Sequence, residues 1–145
     1  TSSVDDSVLS LVHAIREAGL DCHLHERLDI DELCSLVAKC KLCICPIGSG
    51  AILPTWIYNK PTILHGDKMH MKQLNWWGSV PMNEQRLYPV DQKAITDTTS
   101  QGYSDYLIDP DVYSMTFWGA FEAAILELEK AHKRSLGSFM TQKHP

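Results

Sequence analysis

The chain has 145 residues, 44% of them apolar and 21% charged, with a formal charge of -5 and five cysteines. That length suits one domain, which buries about two-thirds of its unfolded surface and needs no disulfide framework. The apolar runs at 42–46, 50–54 and 56–58 fall far short of the ~20 residues of a membrane helix, and net acidity argues against the basic face of a nucleic-acid surface.

The start, Thr1-Ser2-Ser3-Val4-Asp5-Asp6, has neither the positive region nor the apolar stretch of a secretory signal. It also lacks a methionine, so a processed chain or a fragment is expected. Cys22, Cys34, Cys40, Cys43 and Cys45 are odd in number and read as reduced thiols in a cytoplasmic setting. Cys40 and Cys43 form one CxxC without a second pair, while Cys43 and Cys45 lie in an apolar run where cysteine acts as a small hydrophobe; no metal is assigned. Lys130, Lys133, Arg134 and Lys143 read as the cations a helix prefers near its end.

In chain order, Val8, Leu11, Val12, Ile15 and Ala18 recur at helical spacing until Gly19, after a capping pattern at Ser3 and Asp6. Leu20, Cys22 and Leu24 alternate with polar residues and predict a short half-buried strand. Asp29 with Glu32 opens a second helix carrying Leu33, Leu36, Val37 and Cys40. The run 42–45 is apolar on successive residues, as a central parallel strand covered on both faces would be.

Pro46-Ile47-Gly48-Ser49-Gly50 ends that strand, and a third helix runs through Trp56 to Asn59. Pro54 places its first turn near 51–54. Asn59 is its left-handed cap, and residues 62–64 form the next strand. From 65 to 106 only a short helix and a weak strand near Ala94 and Ile95 are expected. Asp109 caps a last helix with Pro110 in its first position; Tyr113, Phe117, Trp118, Phe121, Ile125 and Leu128 are its stripe, and Gly137 lies beyond its end. These elements predict an α/β fold: a three-layer, doubly wound, mostly parallel, Rossmann-like sheet with right-handed crossovers, a long irregular segment and a long C-terminal helix. It forms a single domain over 1–145 and expects one further strand or a partner domain upstream.

A buried strand entering a helix through two glycines puts the backbone N–H groups of Gly50, Ala51, Ile52 and Leu53 at the carboxyl edge of a parallel sheet, an anion site by geometry. Ser49 adds a hydroxyl. No lysine follows the second glycine, so this is not a Walker loop, nor is it GxGxxG.

Within 31–67, the stretch LVAKCKLCICPIGSGAILPTWIYNKPTILHGD resembles the nucleotide-sugar-binding C-terminal half of a GT-B glycosyltransferase. The nearest similarity is to family 61-type transferases, whose Gly-Pro-His-Gly-Ala-Gly-Leu pattern is matched by Cys45-Pro46-Ile47-Gly48-Ser49-Gly50-Ala51. The resemblance covers about 5–67 and 105–130. It implies that Gly48, Ser49, Gly50 and Ala51 hold a donor diphosphate through backbone donors while His65, Asp67 and Lys68 line the next loop. Ile47 replaces the family's histidine, and His65-Gly66-Asp67 stands where it carries a glutamate. The acceptor-binding N-terminal domain, which usually holds the catalytic base, is not in this chain, so no catalytic residue is assigned. The implied ligand is a nucleoside diphosphate or nucleotide sugar, as substrate rather than cofactor.

Trp76 and Trp77 could stack on a base or sugar ring, with one in the core and one at the rim as the plainer reading. His23 and His25 share a strand face but have no third ligand. A second reading is a non-enzymatic α/β module that binds a partner or itself through 69–88. A third, weaker resemblance is to TIR-type or deoxyribosyltransferase-like flavodoxin domains, whose catalytic glutamate has no counterpart on the helix at 52–59.

Overall fold

The computed structural model describes residues 6–75, 86–99 and 105–141. The chain divides into two compact units, Thr1–Leu33 and Cys34–Pro145.

In the first unit α1 spans Asp6–Glu17. It ends as its glycine requires: Gly19 takes φ +80°, its N–H donates to Arg16 O at 2.9 Å, and Leu20 N–H reaches back to Ile15 O at 3.3 Å. This is a Schellman closure, which satisfies two carbonyls of the last turn. The strand expected at 20–24 does not form. Leu20 is 63% and Leu24 38% exposed, and the Cys22 carbonyl accepts from Arg16 Nε and Nη2 at 3.0 and 2.8 Å. The alternation had no sheet to pair with among the described residues, so a helix-terminal arginine claims the backbone instead. His23 bonds Asp21 at 3.1 Å and has its ring 6.5 Å from that of His25. α2, Ile30–Lys39, opens on a reciprocal capping box: Glu32 N–H donates to Asp29 Oδ1 at 2.8 Å and Asp29 N–H to Glu32 Oε2 at 3.0 Å.

The second unit is mixed α/β. β1 (Cys43–Pro46), β2 (Thr62–His65) and β3 (Leu87–Pro89) form a parallel sheet in that spatial order. In register, Cys43 faces Thr62 and Thr62 faces Leu87. The central strand is therefore β2, whose Thr62, Ile63 and Leu64 are fully buried, and not the run at 42–45. Among the described residues β1 is terminal in the sheet, with Cys43 and Cys45 half-buried and Ile44 45% exposed. All five cysteines are free thiols. Burial first, then the neighbouring Cys40 and Cys45, push the Cys43 thiol up to about 12 against a weaker pull from Lys60, so it stays protonated and packs as a hydrophobe.

The third helix starts earlier than expected, as α3 (Ser49–Ile52), because Gly48 at φ +134°, ψ -158° makes the turn directly. Pro54 then falls past the first turn. Having no N–H to return to the helix, it widens the next turn into a π-helical one, Leu53–Ile57, with Tyr58 N–H on Leu53 O at 3.1 Å. Asn59 at φ +46° ends it, as expected. α4 (Lys68–Met71) follows β2. A 3₁₀ turn, Gln92–Ala94, leads into β4 (Ile95–Asp97), antiparallel to β5 (Tyr106–Ile108).

The last helix, α5, spans Pro110–Thr141, with Asp109 Oδ1 accepting from Asp111 and Val112 N–H at 2.9 and 3.2 Å. It continues past Gly137. α5 contacts β2 and β3, and its inward stripe is Tyr113, Phe117, Ala120 and Ala124, where alanine lets helix and sheet approach closely. Trp118, Phe121, Ile125 and Leu128, the rest of the apolar stripe read from the sequence, are 56%, 38%, 39% and 43% exposed. The core itself joins Ile47, Ala51, Ile63, Leu64, Met71, Val90, Ile95 and Ala120. Among the described residues no helix is long and apolar enough to cross a membrane.

The Gly48 backbone lies in a region that only glycine holds without strain. Gly48→Ala is expected to cost about 1–3 kcal/mol. Gly50 has no heavy atom within 4 Å of where a Cβ would stand and no positive φ, so Gly50→Ala should leave the chemical-denaturation midpoint unchanged or slightly raised.

Candidate functional site

The carboxyl ends of β1 and β2 lie side by side, with Pro46 in register with His65. Two cavities open there, both walled by Tyr106 of β5. The smaller, about 230 Å³, is lined by Pro46, Ile47, Gly66, Asp67, His70, Asp105 and Tyr106. The larger, about 480 Å³ and mostly apolar, is lined by His65, Tyr106, Leu107, Ile108, Pro110 and Tyr113. Ligands of parallel α/β sheets bind at this edge.

Asp67, 3% exposed, does two jobs. Its Oδ1 accepts the His70 backbone N–H at 2.7 Å and its Oδ2 the His70 ring Nδ1 at 2.8 Å. Burial alone would raise this carboxyl; the backbone and ring bonds of His70, its charge and the Met69 N–H outweigh burial and hold it below 3.8. The ionised carboxylate fixes the imidazole with a proton on Nδ1. Met71 N–H donates to Asp67 O at 3.0 Å and Lys68 N–H to Asp97 Oδ1 at 3.1 Å, so the first turn of α4 is occupied by the protein's own acceptors.

On the other side, His65 Nδ1 and the Tyr106 hydroxyl share a hydrogen bond of 2.6 Å. Burial holds the His65 pKa below 6.5, which keeps the ring neutral at pH 7. Tyr106 is shifted upward, first by burial and then by Asp67 and Tyr113, and remains a phenol.

Of the residues singled out in the sequence, Asp67 and His65 line the two cavities and Lys68 is exposed outside both linings. Ser49 and Gly50 are exposed in the first turn of α3, where helix geometry gives their N–H groups no place in the ladder. Ala51 is fully buried and its N–H is taken by Gly48 O at 3.0 Å. Trp76 and Trp77 lie outside the described residues, as does much of the 69–88 segment. Ile47 is not simply an absent histidine contact: 4% exposed, it forms the floor against which Gly66 packs.

Searches of protein-family models, curated proteins and solved structures find no match to this chain.

His70, Asp105, Tyr106 and Asp97 were missed by sequence reasoning. An Asp67-x-x-His70 spacing is readable as a variant capping box. Tyr106, which opens β5, and Asp105 just before it arrive from about forty residues on, without local signal.

Proposed function

We propose that the second unit is the donor-binding half of a glycosyltransferase-like protein, taking a nucleoside diphosphate or nucleotide sugar at the carboxyl edge of its sheet. The observation that carries the reading is the exit from β1: a parallel strand leaves through Gly48, in a glycine-only conformation, directly into a helix whose first two residues, Ser49 and Gly50, are exposed. Asp67 and Asp105 in the smaller cavity repel phosphate, so the reading assigns the diphosphate to the Ser49 and Gly50 backbone. The base or sugar ring goes to the larger cavity, against Tyr106 and Tyr113. On this reading the parallel sheet has the three-layer, doubly wound architecture of such donor-binding halves.

Calorimetric titration with a panel of nucleoside diphosphates tests it. Binding is expected, weakened about tenfold by Gly50→Ala, since a Cβ there holds the phosphate off the backbone. A panel silent to millimolar concentration sinks the reading. Concentration-dependent sedimentation alongside that silence would favour self-association, for which the exposed Trp118 and Phe121 of α5, their rings 5.7 Å apart, offer an apolar surface.

A further inference from the structure

The opposite, amino-terminal edge of the same sheet carries a third cavity, of about 370 Å³. Each strand is entered from a cation: Lys41 precedes β1, Lys60 precedes β2 and Arg86 precedes β3. Because Cys43, Thr62 and Leu87 are register partners, the three cations come together side by side, and α5 adds Lys130 to the cavity wall. In a chain of net charge -5 with 13 basic residues, four line one cavity in which, among the described residues, Glu127 is the one carboxylate.

Two of the heads are fixed in place. Lys60 Nζ donates to Ala38 O at 2.6 Å. Arg86 donates through Nη1 to Asn59 O at 2.7 Å and pairs through Nη2 with Glu127 at 3.2 Å. A lysine has three donors and an arginine five, so both keep further N–H groups for a ligand. Like charges converging on one cavity repel, and an anion bound among them relieves that cost while gaining charge-assisted hydrogen bonds.

We infer that this amino-edge cavity is an anion-binding site for a compact small molecule carrying two or more phosphate groups, separate from the carboxyl edge. It goes beyond the donor-binding reading and does not depend on it. The volume exceeds that of pyrophosphate, leaving room for an organic moiety, and its polar, cation-rich lining selects for charge rather than for an apolar ring.

The test is titration of the full chain with inorganic pyrophosphate, at low and at raised salt, by calorimetry. Binding is expected, falling as salt rises. Lys41→Gln with Lys130→Gln, both exposed side chains, should weaken it about tenfold. Glu127→Gln should strengthen it several-fold, because it removes a carboxylate from the wall and frees the Arg86 Nη2 that pairs with it; Gly50→Ala should leave it unchanged. The gain expected from Glu127→Gln cannot be mimicked by misfolding. Absence of pyrophosphate binding at millimolar concentration in low salt, an unchanged affinity in the double lysine variant, or weaker binding in Glu127→Gln each overturns the inference. Loss of pyrophosphate binding in Gly50→Ala with the lysine variant unaffected would also overturn it and move the anion to the carboxyl edge.

Discussion

Asp67→Ala is expected to lower stability by about 2–4 kcal/mol at pH 7, read as a shift of the urea midpoint. The substitution removes the cap of α4 and at the same time leaves the His70 backbone N–H, and a half-buried ring, without their acceptor at the carboxylate. Asp67→Asn keeps an oxygen for the backbone N–H and should cost about 1 kcal/mol. The acid limb is a second readout. A carboxyl whose folded pKa lies below its unfolded value near 3.8 contributes its full stabilisation above that value, and loses it as pH falls through the lower folded value. The alanine variant should therefore show a shallower loss of stability below about pH 4 than the parent chain. A midpoint shift under about 0.5 kcal/mol at pH 7 would mean that solvent replaces the carboxylate at no cost.

Gly66→Ala carries the second large effect. A Cβ there would stand 2.9 Å from Ile47 Cγ2 and 3.2 Å from His70 Cβ. The His70 Cβ is fixed to its main chain, and the Ile47 methyl can move only by turning a buried, β-branched side chain off its rotamer, so overpacking should cost about 1–3 kcal/mol. Ile47→Ala alone should cost about 2–4 kcal/mol through the cavity it leaves. In the double variant the new methyl occupies part of that space. A double-mutant cycle should give a loss smaller than the sum of the singles by about 1 kcal/mol. Simple additivity would show that Gly66 and Ile47 do not meet.

Local chemistry explains which parts of this architecture could be read in advance. The Asp29 and Glu32 box, the Gly19 closure, the left-handed Asn59 and the Asp109-Pro110 start all depend on residues within a turn of one another, and each stands where its side chains dictate. What failed depended on distant partners. Period-2 alternation at 20–24 describes a strand only if a neighbour pairs with it. The apolar positions of α5 could not say which side meets the sheet, because the contact is made by Ala120 and Ala124, whose small size rather than hydrophobicity suits them to a close approach. β3 and β5 hold three residues each, too few for a period, and Pro89 reads as a breaker although it ends a strand. At the candidate site, His65 and Asp67 were visible because one ends a readable strand and the other stands just past it. Tyr106, which walls both cavities, is brought there by tertiary packing alone.

The burial of β2 has a consequence for how the chain reaches this state. Thr62-Ile63-Leu64 is an uncharged, β-prone segment whose edges are both covered by parallel neighbours, β1 behind it in the chain and β3 ahead. Each pairing needs a long loop to close first, which is slow compared with helix formation. Until both close, the stickiest strand of the molecule is open to other chains. Its flanks are those of a guarded segment: Lys60 and Pro61 on one side, Asp67 and Lys68 on the other, charges and a proline that discourage edge-to-edge pairing between nascent molecules. Lys60 and Pro61, which line the amino-edge cavity, and Asp67, which lines the smaller carboxyl-edge one, thus also protect the centre of the sheet before there is a sheet at all.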